Sequence, residues 1–535
     1  MTSDDRWGPV SDGQGDGAQR SSAYLDQDAA GDADADELAQ LLAMAGGADD
    51  AGSGPGGGAL ADALTQGVLT GPTGDTPVRE TDDAESLAAL RAVESDLDQR
   101  WPETRIAPSL ERIRALVEVL GDPQRSYPVI HVAGTNGKSS VTRMIDALLT
   151  RIGPRTGRFT SPHLQRATER IALDGVPISA RRYVELYGEL APYLGIVDRA
   201  QGEGPKLSKF EVLTGMAFAA FADAPVDVAV LEVGLGGSWD ATNVADAAVA
   251  AITPIDVDHV NYLGPELGGI AAEKAGVIKE GTVALMAQQD PVAAKVLLER
   301  AVEVGAEVAR SGMEFGVLAR EVAVGGQQLR LQGLGGEYDD VYLPLFGEHQ
   351  AANAALALAS VEAFFGAGAS RKLDIEAVRD AFASVRVPGR LERLRSAPTV
   401  VVDAAHNPHG ARAAAKAVRE EFSFRRLVGV VAILGDKDAG GILAALEPVL
   451  DEVVITAVAS PRAMDPDELG SLAVGYFGAD RVVVETRMDA ALEAAIGLAE
   501  ETDDPDVPVA GAGVLVVGSV VAAGEARTLL GREPE

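Results

Sequence analysis

The chain of 535 residues contains no cysteine and only 6 histidines, and it has no apolar run long enough to cross a bilayer. The lack of cysteine excludes a disulfide framework and any zinc or iron–sulfur centre held by cysteines. The first residues, MTSDDRWGPV, are acidic, whereas a signal peptide opens with a basic region and continues with an apolar one. The sequence therefore predicts a soluble cytoplasmic protein with no membrane partner, and its length suffices for two hydrophobic cores.

Positive charge is also scarce. The chain has 46 Lys and Arg against 81 Asp and Glu, so its formal net charge is −35. Residues 1–90 alone carry 3 basic and 18 acidic side chains. Such a chain repels polyanions, and we expect no nucleic-acid partner. A small anionic substrate stays compatible with this charge, because a few local cations can dominate a cleft.

Composition changes along the chain and predicts its domains. Residues 1–85 are built from Asp, Gly, Ala and Ser, which bury too little apolar surface to fold, so we predict a disordered acidic N-terminal tail with one helix-like segment at 36–45. From residue 86 strands and helices alternate, which predicts an α/β fold. We expect a P-loop-type, mostly parallel sheet in an ATP-binding domain over residues 86–388, followed by a smaller Rossmann-like α/β domain over residues 389–535.

The sharpest local signal is HVAGTNGKSS, residues 131–140, at a predicted strand-to-helix turn. Gly134 and Gly137 allow a tight turn whose N–H groups point at a phosphate, and Lys138 adds a positive charge. Ser139 offers a hydroxyl to Mg²⁺. The spacing is that of the shorter GTxGK[ST] loop, because Val132 stands where GxxxxGK[ST] has its first glycine. The alternative is an ordinary glycine turn before a helix.

Three further residues lie in motifs after predicted strands. Glu232, in LEVGLGGSWDATN, ends an apolar strand where a carboxylate would meet Mg²⁺, although it could instead cap the next turn. His259, in TPIDVDHVNYLG, is either a metal ligand or a loop histidine. Lys274, in IAAEKAGVIK, is either a surface lysine or a partly buried one with a lowered pKa.

A polar cluster is predicted in the second domain. Asp403, His406 and Asn407 follow a strand in VVVDAAHNPHG, at the sheet edge where open α/β folds bind ligands. His406 and His409 are poorly spaced for a metal pair, because a proline and a loop separate them. The pattern favours a polar cluster that faces the cleft.

These motifs together resemble the folylpolyglutamate synthase and dihydrofolate synthase family, the folate branch of the Mur ligase superfamily. The resemblance runs from about Ser86 to the C-terminus. In the family's order, the motifs are HVAGTNGKSS, SPHL with a following ERI, FEVLT, EVGLGGSWDATN, DHVNYLG, EKAGVIK, GEHQAANAALALA, PGRLE, DAAHNPHGA, GDKD and GSV.

The resemblance implies roles for the matching positions. The residues that would bind ATP are Gly134, Thr135, Asn136, Gly137, Lys138, Ser139, Ser140, Asn353, Arg390 and Asp403. The residues that would bind the folate and glutamate substrates are Ser161, Pro162, His163, Phe210, Glu211 and His406. Two Mg²⁺ ions are implied, the first bound by Ser139 and Glu232 and the second by His259. Lys138, Lys274 and His259 would act in catalysis, with Lys274 carbamylated to support the second ion.

The chain departs from the family pattern in two places. The phosphate loop reads GKSS where GKGS is usual, so an extra serine side chain must fit near the phosphates; we expect little cost, because serine enters a first helical turn without strain. Ser238 and Trp239 stand where many members have Arg–Leu, which removes one positive charge near the site.

The activity that the resemblance implies is ATP-dependent addition of glutamate to folates, and also to dihydropteroate, through an acyl phosphate. It further implies a monomer whose interdomain cleft closes over ATP, with RVPGRLE as the hinge. No residue decides between the two folate steps. The alternatives are a cell-wall Mur ligase, which needs a UDP-binding domain that the tail cannot form; a P-loop kinase or ATPase; and a nucleotide-binding protein without turnover.

Overall fold

The computed structural model describes residues 81–100, 107–366, 372–501 and 511–535. The predicted tail, apart from its last few residues, and the helix-like segment at 36–45 lie outside the described residues. The first described helix, α1, begins at Ala84, capped by the Asp83 side chain, which accepts a hydrogen bond from the Ser86 backbone N–H. None of the described helices combines the length and the apolar character needed to span a membrane.

A large sheet organises the first half of the described chain. Its strands, in the order β4-β3-β2-β5-β1-β6-β7-β8, are β1 Val129–Ala133, β2 Thr156–Phe159, β3 Ile171–Leu173, β4 Val176–Pro177, β5 Val228–Glu232, β6 Val249–Ile252, β7 Val283–Met286 and β8 Glu307–Arg310. The neighbouring strands β2, β5, β1, β6, β7 and β8 all pair in parallel. The strands β1 and β5 are buried along their whole length, as expected for parallel strands covered by helices on both faces.

The helices of this half cover the sheet and continue into the segment that leads to the second domain. They are α1 Ala84–Asp98, α2 Glu111–Val119, α3 Lys138–Ile152, α4 Ala180–Ala200, α5 Lys209–Asp223, α6 Val260–Leu263, α7 Leu267–Ala275, α8 Pro291–Val304, α9 Glu348–Phe364 and α10 Ile375–Ser384. Helix α3 directly follows β1, so its N-terminus lies at the carboxyl edge of the sheet. The motif order therefore brings Lys138 and the residues after β5 to the same edge.

The predicted alternation of strands and helices is wrong for one segment. Strands β9 Gly316–Ala323, β10 Gly326–Gly333 and β11 Gly336–Leu343 form a separate antiparallel sheet in the order β11-β10-β9. The edge strands β3 and β4 of the large sheet are antiparallel as well. Two-residue turns explain the antiparallel pairs β9–β10, β10–β11 and β3–β4, since a parallel pair needs a long crossover, whereas β2 and β3 are joined by the longer segment 160–170.

The second domain has a sheet of its own. Its strands, in the order β12-β13-β17-β14-β15-β16, are β12 Glu392–Ser396, β13 Thr399–Val402, β14 Arg426–Val431, β15 Glu452–Ile455, β16 Val482–Val484 and β17 Ala512–Val517. Its helices are α11 Pro408–Glu421, α12 Ala439–Leu446, α13 Pro466–Phe477, α14 Met488–Glu500 and α15 Val520–Leu529. Only β12 runs antiparallel within this sheet as described. Separate apolar clusters pack on its two faces, which matches the predicted Rossmann-like layering.

Candidate active site

The predicted phosphate loop lies between β1 and α3 and is braced by a neighbouring loop. Gly134 has a φ of +136°, and a Cβ there would lie 1.9 Å from Oγ1 of Thr253, so only glycine fits. Thr135 donates its backbone N–H to Pro254 O and its hydroxyl to Asp256 O at 2.9 Å. Thr135 therefore fixes the shape of the loop.

Lys138, Ser139 and Glu232 meet at the mouth of this loop. Nζ of Lys138 donates to the carbonyl oxygens of Gly134 and Thr135, at 3.1 and 3.0 Å. Oγ of Ser139 donates to Oε1 of Glu232 at 2.7 Å. Burial lowers the pKa of Lys138 and raises the pKa of Glu232, and the attraction between the two charges opposes both shifts.

The two serines of GKSS have different surroundings. Ser139 occupies the position at which GKGS has glycine, and its hydroxyl reaches Glu232. Ser140 is buried, and its Oγ has no hydrogen-bond partner among the described residues. The extra serine therefore lies within the first turn of α3, and it adds an oxygen next to the carboxylate.

The oxygen atoms around Glu232 suit Mg²⁺. Oε2 of Glu232 accepts the backbone N–H of Ser161 at 3.2 Å, so Ser161 and Ser139 flank one carboxylate. Among the described residues there is no group of three or more His, Asp or Glu side chains that would hold a metal by itself. Mg²⁺ commonly uses one or two carboxylates and completes its coordination with water and nucleotide phosphates, so this donor set fits that ion.

Lys274 is buried at the C-terminal end of α7, which favours the buried alternative over a surface lysine. Its Nζ donates to Gly134 O at 2.8 Å, beside the phosphate loop. Burial and the nearby positive charge of Lys138 lower its pKa to about 7. A large part of the Lys274 population is therefore an uncharged amine at neutral pH. Ser238 contacts the adjacent Glu273 through its hydroxyl, so this departure from Arg–Leu lies next to Lys274.

A polar network joins the two domains across the cleft. Asp258 forms an ion pair with Lys437 at 2.6 Å and accepts a hydrogen bond from Nδ2 of Asn407 at 2.9 Å. Nε2 of His406 lies 3.6 Å and Nε2 of His259 4.0 Å from Oδ2 of Asp258. Burial alone would raise the pKa of Asp258, but these cationic and polar neighbours hold it well below its usual range.

The histidines of this network differ from a metal pair. His409 contacts Asn136 across the cleft, with Nδ1 at 2.9 Å from Nδ2 of Asn136, while His406 points its Nδ1 at Ala404 O. Burial and Lys437 lower the pKa of His259 to about 3, so its ring is neutral and able to bind a metal. Two residues of the cluster that the sequence predicts, His406 and Asn407, contact Asp258 in this network, whereas Asp403 accepts backbone N–H groups elsewhere. The role of His259 as a ligand stays a prediction.

The remaining predicted nucleotide residues surround the same space. Asn353 lies so close to the loop that a Cβ on Gly137 would meet its Oδ1 at 2.8 Å. Asp403 is buried and accepts the backbone N–H groups of Leu391 and Ala405, which holds the strand end beside Arg390. Burial raises the pKa of Asp403. Asp403 therefore shapes the loop that carries Arg390.

The predicted substrate residues separate into two groups. Ser161 and Pro162 line the cavity, as does His406. Glu211 instead caps α5 and forms a buried ion pair with Arg112 at 3.1 Å, and Phe210 packs against Phe159. Nδ1 of His163 accepts a hydrogen bond from Arg170 at 3.0 Å. In this conformation His163, Phe210 and Glu211 do not line the cavity, so their predicted role in substrate binding has no support from the geometry.

The cavity itself lies between the two domains. Its volume is about 520 Å³, and its wall includes the phosphate loop, Glu232, Lys274, Asn353 and Arg390. A smaller cavity of about 280 Å³ adjoins it, with Asp258 and Lys437 in its wall. The sequence pattern predicts no role for Asp258 or Lys437, although both lie within family-like motifs, DHVNYLG and GDKD. Their opposite charges become informative only when the fold places them together.

Fold and site together define the class. A short phosphate loop lies in the first α/β domain, between β1 and α3. The loop faces the second α/β domain across a cavity lined by Lys138, Lys274 and Glu232. This is the architecture of an ATP-dependent ligase of the Mur type. The model of the Mur ligase middle domain matches residues 201–361, and the model of the Mur ligase, glutamate ligase domain matches residues 389–519.

Individual relatives narrow the class. The chain is 59% identical over 466 residues to the dihydrofolate synthase/folylpolyglutamate synthase of Mycobacterium tuberculosis, covering 84% of this chain and 96% of that protein. The folylpolyglutamate synthase of that organism complexed with ADP superposes with a TM-score of 0.81 at 58% identity, over 84% of this chain and 100% of the other. E. coli FolC in complex with DHPP and ADP gives 0.71 at 30% identity, over 82% and 97%. The chain belongs to the dihydrofolate synthase/folylpolyglutamate synthase family.

Proposed function

We propose that this protein joins L-glutamate to the carboxylate of folates, and to that of dihydropteroate, in a reaction that consumes ATP. The observation that carries the proposal is the interdomain cavity, which brings Lys138, Lys274 and the Ser139–Glu232 pair to one phosphate loop. Amide formation from two ions requires an activated carboxylate. A site with this loop is built to supply that activation by phosphoryl transfer.

The proposed reaction has two steps. A carboxylate oxygen of the folate substrate attacks the γ-phosphorus of ATP, and ADP leaves, which gives an acyl phosphate. The amine nitrogen of glutamate then attacks the acyl carbon, the amide bond forms and phosphate leaves. Lys138 offsets the negative charge that develops on the phosphoryl oxygens. Alignment of the reactants between the two domains lowers the activation free energy further, by on the order of 7–11 kcal/mol in well-oriented reactions.

The residues around the phosphate loop suit both a bound Mg²⁺ and a carbamylated lysine. Ser139 and Glu232, with Ser161 beside them, would hold one Mg²⁺, which supplies charge neutralisation at the phosphates when it is bound. His259 is our candidate ligand for a second ion. An uncharged Lys274 amine can react with CO₂ to give a carbamate, and the carbamate would turn a cation beside the phosphate loop into an anion. That change of sign suits a neighbour of a metal ion.

The direct test is incorporation of labelled glutamate by purified protein with ATP and Mg²⁺, offered dihydropteroate and tetrahydrofolate in separate reactions. We expect labelled product in both. Product with one substrate alone restricts the protein to that step. ATP hydrolysis without product from either substrate contradicts the folate assignment and favours another ligase or a P-loop ATPase.

The smaller cavity is our candidate for the incoming glutamate. Lys437 is buried there, and Asp258 is the carboxylate paired with it. A glutamate carboxylate would compete for Lys437, and its amine would find Asp258. We therefore expect Lys437→Ala to raise the KM for glutamate about 10-fold or more, since one buried charged contact is worth about 1.5–3 kcal/mol.

The measurement for Lys437 is steady-state kinetics with glutamate varied at saturating ATP and folate. The KM for ATP should change little, because Lys437 lines the smaller cavity, whereas the phosphate loop lines the larger one. Arg481→Ala is a matched control, since Arg481 forms an ion pair on the same domain with Glu447, and neither residue lines the two cavities. An equal rise in the KM for ATP and for glutamate would contradict the assignment.

A further inference from the structure

Two loops of the candidate site are held by one buried guanidinium, that of Arg527 on α15. Arg527 is fully buried and belongs to the helix that begins at the end of the GSV motif, but it lies outside that motif. Its Nε donates to Oε1 of Gln165 at 2.9 Å, its Nη1 donates to Glu392 and its Nη2 donates to Glu533 O at 2.8 Å. A buried charge is costly unless it is paired, and Arg527 is paired with the carboxylate of Glu392 and, at 3.7 Å, with that of Glu535, while Gln165 supplies a neutral acceptor.

The hydrogen bond from Arg527 to Glu392 links Arg527 to the backbone beside Arg390. Oε2 of Glu392 accepts the backbone N–H of Gly389 at 2.8 Å, and Gly389 has a φ of +70°. Gly389 O in turn accepts Nη1 of Arg390 at 3.1 Å. Glu392 therefore transmits the position of Arg527 to the segment between the domains, which presents Arg390 to the first cavity.

The contact with Gln165 leads to Ser161 and Pro162. Nε2 of Gln165 also donates to Thr528 Oγ1 and to Arg532 O, so this side chain is held entirely by α15 and the residues after it. The backbone N–H groups at 164–166 are tied to the carboxylate of Glu169 at 2.7–2.9 Å. The loop therefore behaves as one unit, whose first residues line the cavity.

The loop that carries Leu164 also contacts both α15 and the interdomain segment directly. A Cβ on Gly524 of α15 would lie 2.0 Å from Leu164 O, so the helix and the loop approach more closely than any side chain would allow. A Cβ on Gly389 would lie 3.3 Å from the Leu164 side chain. Arg527 therefore stands at a junction where α15, the interdomain segment and the substrate-side loop are in contact.

We propose that Arg527 is a positioning residue that couples the interdomain segment carrying Arg390 to the loop carrying Ser161 and Pro162. The planar guanidinium fork fixes the angle between Gln165 and Glu392, which a lysine cannot do. When the domains move, the two loops keep one relative position. The kinetic part of this proposal rests on the proposed function, whereas the coupling itself does not.

The kinetic test is a double-mutant cycle on ligation. Gln165→Leu and Glu392→Gln each remove one branch, and we expect each to lower kcat/KM about 10-fold through misplaced site residues. The double variant should also lose about 10-fold, because either change already separates the loops. A loss of about 100-fold in the double variant means independent effects and overturns the coupling. Arg487→Gln, an exposed arginine of the same domain, is the control with normal activity.

Hydrogen exchange tests the coupling without any activity. In Gln165→Leu, amide exchange should quicken at 164–166 and also at 389–392, which Gln165 does not contact. In Arg527→Lys, amide exchange should quicken in the same two regions, while the amides of β1 stay protected. Unchanged exchange at 389–392 overturns the proposal. If the unaltered protein forms no glutamyl product, the proposed function fails, and exchange still decides whether Arg527 couples the loops.

Discussion

Replacement of Lys138 by alanine is expected to lower kcat for ligation about 10³-fold, the scale of losing one preorganised charge at a phosphoryl or oxyanion site. Lys138 is half-buried at the phosphate loop, and in the described structure its Nζ donates to two carbonyl oxygens of that loop. Those contacts are weak competitors for a cation compared with a triphosphate. The lysine is therefore free to turn to the nucleotide without breaking the fold.

The measurements for Lys138 are ATP consumption and glutamate incorporation, each in single turnover. Both should fall together, because phosphoryl transfer precedes amide formation in the proposed reaction. Lys138→Arg tests whether charge alone suffices, since the larger guanidinium must fit the same buried place. Near-normal ligation by Lys138→Ala would show that the loop does not bind the phosphates in the way we propose. A melting temperature close to that of the unaltered protein makes the kinetic loss interpretable.

The sequence predicts the architecture well wherever chemistry and periodicity coincide. Gly134, Gly137 and Lys138 mark a strand, a turn and a helix at once, and the model places β1 and α3 around them. The sequence pattern alone misses the antiparallel sheet of β9 to β11. Those strands are partly exposed and polar, so their pattern lacks the apolar runs that identify the buried parallel strands.

The site is predicted less completely than the fold, because part of it is formed between domains. Lys437 and Asp258 are 179 positions apart, and no local pattern indicates that they pair. Arg527 is a helix residue in an unremarkable sequence, and its role depends on two distant segments, those of Gln165 and Glu392. Glu211 illustrates the opposite case: it lies inside a recognisable motif, and in the structure it takes part in the capping box of α5 and pairs with Arg112, while its predicted role in substrate binding stays a prediction. Motifs locate the chemistry, and only the fold shows which residues support it.

Lys274→Ala is the second change with a large expected effect, a loss of about 10²-fold in ligation, the scale of removing a supporting group beside a metal site. The reason is the carbamate that we propose there. Only the uncharged amine adds CO₂, releasing a proton as R–NH–COO⁻ forms. Burial and Lys138 lower the pKa of Lys274 to about 7, so the uncharged fraction rises from about one tenth at pH 6 to about nine tenths at pH 8.

The sign of the pH dependence follows directly. A lowered pKa means that carbamate formation should increase as the pH rises through 7, whereas an ordinary lysine with a pKa near 10.5 stays almost entirely protonated over that range and would form little carbamate. Carbon-13 NMR of protein equilibrated with labelled bicarbonate should show a carbamate signal that grows from pH 6 to pH 8 and is absent from Lys274→Ala. Lys279→Ala, which removes a lysine bound to the carbonyl oxygens of Asn243 and Ala245, should keep the signal. A protein fully active without bicarbonate and without that signal would show that Lys274 acts as a plain amine, and the charge beside the phosphate loop would then be positive or zero rather than negative.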